Sequence, residues 1–95
     1  MFEIQELLWD EWNIAHIKRH DITQDEVEQA CRGEYVYWET HTYRIMVVGE
    51  TDAGRLIAIV LGDKGEGRYY PITARSASRK ERRRYADLRG GEQAA

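Results

Sequence analysis

At Tyr35 the chain changes its rhythm, and no other feature constrains the fold as strongly. Before Gly33 apolar residues recur at the three- and four-residue spacing of helices; after it a two-residue period takes over. Four such stretches follow: Tyr35–Glu39, Tyr43–Glu50, Arg55–Leu61 and Arg68–Arg75. Thr51-Asp52-Ala53-Gly54 and Gly62-Asp63-Lys64-Gly65-Glu66-Gly67 separate the last three, with Gly available for a left-handed position. Connections this short cannot carry a parallel crossover, so the strands must form an antiparallel meander. Arg55–Leu61 is nearly all apolar and takes the central place. Pro71 cannot donate to a ladder, so the last strand is expected at an edge or with a bulge.

Helices flank this meander. Asp10 can cap a first helix over roughly 10–20, with Trp9/Trp12 and Ile14/Ile17 as apolar pairs on two sides. Asp21 and Ile22 form a short connection. Thr23 and Glu26 make a capping box, which explains Glu26 as a helix-start device rather than a catalyst. Val27, Ala30 and Cys31 line one buried stripe, and Gly33 ends the helix. Ser78 and Glu81 form a second capping box, opening a helix of about three turns whose Tyr85 and Leu88 can pack on the sheet. Residues 2–8 offer a short strand at most, since their alternation is poor. The expected fold is α+β: two N-terminal helices, a four-stranded antiparallel meander and a C-terminal helix, with helices on one face of the sheet. One domain spans 1–95, with an ordered core of about 9–89 and a frayed tail over 90–95.

The lone Cys31 excludes an internal disulfide, fits a reducing cytoplasm and reads as a small core residue. The longest apolar run, Leu56–Leu61, is too short for a membrane span, and no charged-then-apolar leader opens the chain. A cytoplasmic protein without a membrane partner is the expectation. Net charge is −3, but unevenly spread. Residues 1–50 hold four Lys/Arg against eleven Asp/Glu; residues 51–95 hold ten against six. Such asymmetry points to an anionic partner on one side, although a charge run by itself is most simply a solvated helix face.

Two blocks of sequence carry a family resemblance. Trp9-Asp10-Glu11-Trp12-Asn13-Ile14-Ala15-His16-Ile17-Lys18-Arg19-His20 resembles the opening of the BrnT family of toxins. Gly49-Glu50-Thr51, Gly54-Arg55-Leu56 and the run from Tyr70 to Arg82 resemble its glycine-ended strand, its Gly-Arg turn and its I-x-A-R-x-A-x-x-x-E-R signature, with Tyr85 following. The resemblance runs from about Trp9 to Tyr85. It implies a RelE-like fold and metal-free RNA cleavage, with no cofactor. It also implies neutralisation by a DNA-binding antitoxin, the toxin dimerising within a heterotetramer. Asp21 stands where the family often has Gly, and Asn13 where many members have Lys.

Metal-free RNA cleavage needs a base for the 2′-hydroxyl, donors for the phosphorane and an acid for the leaving oxygen. His20 is the first candidate for proton transfer, beside Lys18 and Arg19 at the end of the first helix. It reads equally well as a histidine favoured by the helix dipole. His16, four residues earlier, makes a histidine pair, but nothing completes a metal site. Arg75, Ser76, Ser78 and Arg79 can hold a scissile phosphate at a helix start. Alternatively, Arg75 pairs with Glu81 and clamps strand to helix. Tyr85 completes the catalytic candidates, with a core role as the simpler reading. Arg44, Arg68, Lys80, Arg82 and Arg83 are candidate RNA contacts; Arg82, Arg83 and Arg84 read most simply as a solvated face. The acidic N-terminal half and the two departures favour a second function, a catalytically degenerate toxin-like binding module that retains the antitoxin or partner interface. A DNA-binding regulator is weaker, because no helix-turn-helix is visible.

Overall fold

Three capping boxes fix where the helices begin. Thr23 with Glu26 and Ser78 with Glu81 close as expected. The third pairs Asp10 with Asn13, whose side-chain oxygen accepts from the Asp10 N–H at 2.9 Å. The computed structural model describes residues 2–90, in the order β1 (Glu6–Leu7), α1 (Glu11–Lys18), α2 (Gln24–Arg32), β2 (Tyr35–His41), β3 (Arg44–Glu50), β4 (Leu56–Asp63), β5 (Arg68–Ser76) and α3 (Arg79–Arg89). The expected tail at 91–95 lies outside the described residues; Gly90 caps α3.

The boundaries need small corrections. α1 stops at Lys18, so His20 lies beyond the helix in a turn that ends on Asp21, held at φ 62. Gly33 ends α2 in extended rather than left-handed backbone. Tyr43 belongs to the turn before β3, also at positive φ, and Gly62 pairs within β4 instead of opening a turn.

The sheet is mixed and five-stranded, ordered β1-β5-β4-β3-β2, which corrects the expected four-stranded antiparallel meander. β2 to β5 are antiparallel with β4 central, as expected, and β1 adds a parallel edge through Glu6↔Arg68 and Leu7↔Tyr69. Parallel pairing is open to β1 because most of the domain lies between it and β5 along the chain, so no tight turn constrains the direction. Asn13, fully buried, donates to the carbonyls of Leu8 and Pro71 at 3.0 and 3.2 Å and pins this N-terminal segment to β5.

Helices cover both faces, not one. On the first face Ile57, Ile59, Leu61, Ala74 and Val47 pack against Ile17, Ile22, Val27, Ala30 and Cys31 of the α1–α2 layer. Burial pushes the Cys31 thiol up to about 12, with Glu28 adding to it, as suits a core residue. On the second face Val36, Val48 and Ala58 meet Ala77 and Tyr85 at α3. Helical spacing tells which side of α3 is apolar but not which sheet face it will find.

β5 carries the bulge suggested by Pro71. Val60 pairs with Thr73 and Leu61 with Pro71, so Ile72 is the extra residue. Among the described residues no helix is long and apolar enough to cross a membrane.

Candidate nucleic-acid interface

α3 packs chiefly on β2 and β3, leaving much of its sheet face half open. Trp38, Met46, Val60, Tyr70, Ile72 and Thr73 are each neither fully buried nor fully exposed. Strand alternation and the register put Arg44 on this face with Met46, Arg68 with Tyr70, and Arg75 with Thr73. Lys80 and Arg84, one turn apart on α3, close the other side. Trp38, Met46, Ser78, Lys80, Glu81 and Arg84 together line a cavity of about 220 Å3. The Arg84 guanidinium lies 4.1 Å from the centre of the Trp38 ring, a stacked cation–π contact.

Arg75 and Glu81 form a fork-on-fork pair, with hydrogen bonds of 2.6 and 2.7 Å. Glu81 also accepts the Ser78 N–H at 2.8 Å. The Arg75 hydrogen bonds hold the Glu81 carboxyl below the usual carboxylate range, against the opposing effect of burial. Glu81 is therefore an ionised strut that ties β5 to α3 and is a poor proton acceptor. Arg44, Arg68, Arg79, Lys80 and Arg83 have no side-chain hydrogen bond or ion pair among the described residues. Unpaired cations on one face suit a polyanion. Two larger hollows, about 530 and 550 Å3, lie toward the β1 end with Glu3 and Glu66, and with Glu39 and Asp63, on their walls, which suits a polyanion less.

The expected site residues fall in several places. Arg44, Arg68, Arg75, Ser78 and Lys80 lie on or around the open face. Arg79 and Arg83 are exposed on α3, and Arg82 Nε donates to the Ala77 carbonyl at 3.3 Å. Tyr85 is buried in the second core, its hydroxyl accepting from Arg89 at 3.3 Å. Ser76 alternates to the first face, where its Oγ accepts from Arg55 at 2.8 Å. Lys18, Arg19 and His20 belong to the α1–α2 layer. There the His20 ring meets His16 edge-on at 5.5 Å, and His16 stacks on Trp12 at 4.8 Å.

No direct contact joins His20 to Arg75. The link between the two layers is Arg55, which donates to the Asp21 carbonyl at 2.8 Å, to Glu26 at 3.3 Å and to Ser76. The Arg55 bridge and the Trp38–Arg84 stack were not legible in the sequence, since both join residues distant along the chain. The one available signal was a strand Trp among tyrosines, an aromatic able to sit half buried. Among the described residues no group of three or more His, Cys, Asp or Glu is placed to hold a metal ion. Comparison with protein-family models, with curated proteins and with solved structures finds no match to this chain.

Proposed function

We propose that this chain is a metal-independent endoribonuclease of the BrnT toxin type, with RNA lying across the open sheet face beside α3. The observation that carries this reading is the set of unpaired cations Arg44, Arg68 and Lys80 around half-exposed Trp38, Met46 and Tyr70, on a chain that is acidic overall. Arg75 and Arg79 take the scissile phosphate at the start of α3. Arg75 keeps donors to spare beyond its pair with Glu81, because a guanidinium offers five N–H groups. Proton transfer falls to His20, reached where the RNA leaves the face around the end of β5, past Ser76 and Arg55. The resemblance supplies the setting: a cytoplasmic toxin held by a DNA-binding antitoxin, dimeric within a heterotetramer.

A second reading, a toxin-like binding module without catalysis, is favoured by two observations. Arg75 is already engaged by Glu81, and His20 lies in the opposite layer. One experiment separates the two. Purified protein is incubated with a structured RNA in EDTA, beside His20→Ala and Arg75→Ala. The ribonuclease predicts cleavage by the wild type and a loss of about 100-fold or more in each folded variant. No cleavage by a folded wild type at low salt, with or without ribosomes, would leave the binding module and its partner interface standing.

A further inference from the structure

The Trp38–Arg84 stack has no evident structural necessity, because the ring is already packed against the second core through its other contacts. A guanidinium 4.1 Å above an indole occupies the place where any flat, π-bearing group would lie. The cavity beside it holds about 220 Å3, below the roughly 300–1,000 Å3 of sites for drug-sized ligands and suited to one ring system. Its floor is apolar, formed by Trp38 and Met46. Its rim is cationic: Lys80 and Arg84 are unopposed there, since Glu81, the only carboxylate among the described lining residues, is engaged by Arg75 and by the Ser78 N–H. An apolar, aromatic floor beside two cations fits a base with its phosphate and fits neither a bare anion nor a purely apolar group.

We propose that the Trp38–Met46 cavity is a subsite for one unpaired nucleobase of single-stranded RNA, with Arg84 as a placeholder that the base displaces. The base stacks on Trp38, and the released Arg84 turns, with Lys80, to the adjoining phosphate. No bond is made or broken. The proposal rests on the reading of the open face as an RNA surface but needs no cleavage, so a protein that binds without cutting still satisfies it.

The test uses the whole chain and a fluorescent hexauridylate with 2′-O-methyl riboses, which cannot be cleaved, beside the same oligomer with abasic positions. Anisotropy gives affinity across a salt series. The abasic oligomer is expected to bind at least tenfold more weakly than hexauridylate. Trp38→Ala should erase that difference and leave the salt slope unchanged. Trp38→Phe, which keeps a stacking face, should preserve most of it and serves if the alanine variant fails to fold. Arg84→Ala should reduce the salt slope by about one and keep the base dependence. Equal binding of the two oligomers by the wild type, no binding at low salt, or a base dependence untouched by Trp38→Ala would each overturn the subsite. RNA cleavage that persists in Trp38→Ala at the wild-type rate and affinity would sink this inference alone, whereas Trp38-dependent binding without cleavage would sink only the ribonuclease.

Discussion

Glu81 shows how much one side chain can be asked to do. It closes the capping box of α3, receives both arms of Arg75 and borders the proposed base cavity. The first of these roles was plain from Ser78 and Glu81 three apart; the second stood as one of two readings for Arg75. Because Arg75 lowers the Glu81 pKa, the pair stabilises the fold above the ordinary carboxylate pKa of about 4.3, and the contribution is lost as pH falls through the lowered value. Arg75 is nearly half exposed, so water screens the pair and its worth is about 1 kcal/mol. Glu81→Gln keeps an acceptor for the cap but loses the charge. It should be less stable than wild type by about that amount at neutral pH and should converge with it as pH falls through the lowered Glu81 value. Urea midpoints across pH 3–7 read this directly, and parallel curves would contradict it. Asn13 was the residue least legible in advance. Its place in a capping box and its burial under β5 depend on Leu8 and Pro71, which nothing local to Asn13 announces.

Among the elements, those with a strong local period were legible and those made by distant pairing were not. β2 to β5 alternate over seven to nine residues, and their short turns dictate their order. β1 has only two residues and exists because β5 offers an edge. The choice of sheet face for α3 likewise depends on contacts with Val36 and Val48, far upstream. The packing of α2 on β3 illustrates the tolerance of such contacts. A Cβ at Gly49 would stand 2.8 Å from the Ala30 carbonyl oxygen and 3.2 Å from the Cβ atoms of Ala30 and Tyr35. These neighbours are backbone and Cβ atoms that cannot swing aside, so the helix itself must move. Gly49→Ala is expected to cost about 2 kcal/mol, seen as a lower urea midpoint with an unchanged m-value. An unaltered midpoint would mean that α2 rides more loosely on the sheet than its contacts imply.

For the whole molecule, the three-layer arrangement turns a charge imbalance along the sequence into one across space. α3 carries six Lys/Arg against two Asp/Glu, and it lies on the face opposite α2, which begins with Asp25, Glu26 and Glu28. The sheet between them keeps the two signs apart. A chain with net charge −3 can therefore present a cationic face to RNA while its other side repels it, which orients the encounter. The sequence halves disclosed the imbalance; only the placement of α3 on the second face made it a direction.

The single extra residue in β5 sets the phase of that cationic face. Upstream of Ile72 the even-numbered residues Arg68 and Tyr70 face the open side; downstream the odd-numbered Thr73 and Arg75 do. The bulge thus works as a frame shift written in the backbone: Arg68 and Arg75 stand an odd number of residues apart and share a surface only because the pairing skips Ile72. Deleting Ile72 would remove the bulge and restore strict alternation with Arg68, Tyr70, Thr73 and Arg75 still on the open face and Tyr69, Pro71 and Ala74 still on the core face. The deletion variant and Ile72→Ala are therefore both expected to remain folded by circular dichroism; loss of the fold on deletion would mean that the added twist of the bulge is required as well as the pairing. The strand presents the same faces with this position filled or skipped, because the ladder never counts it.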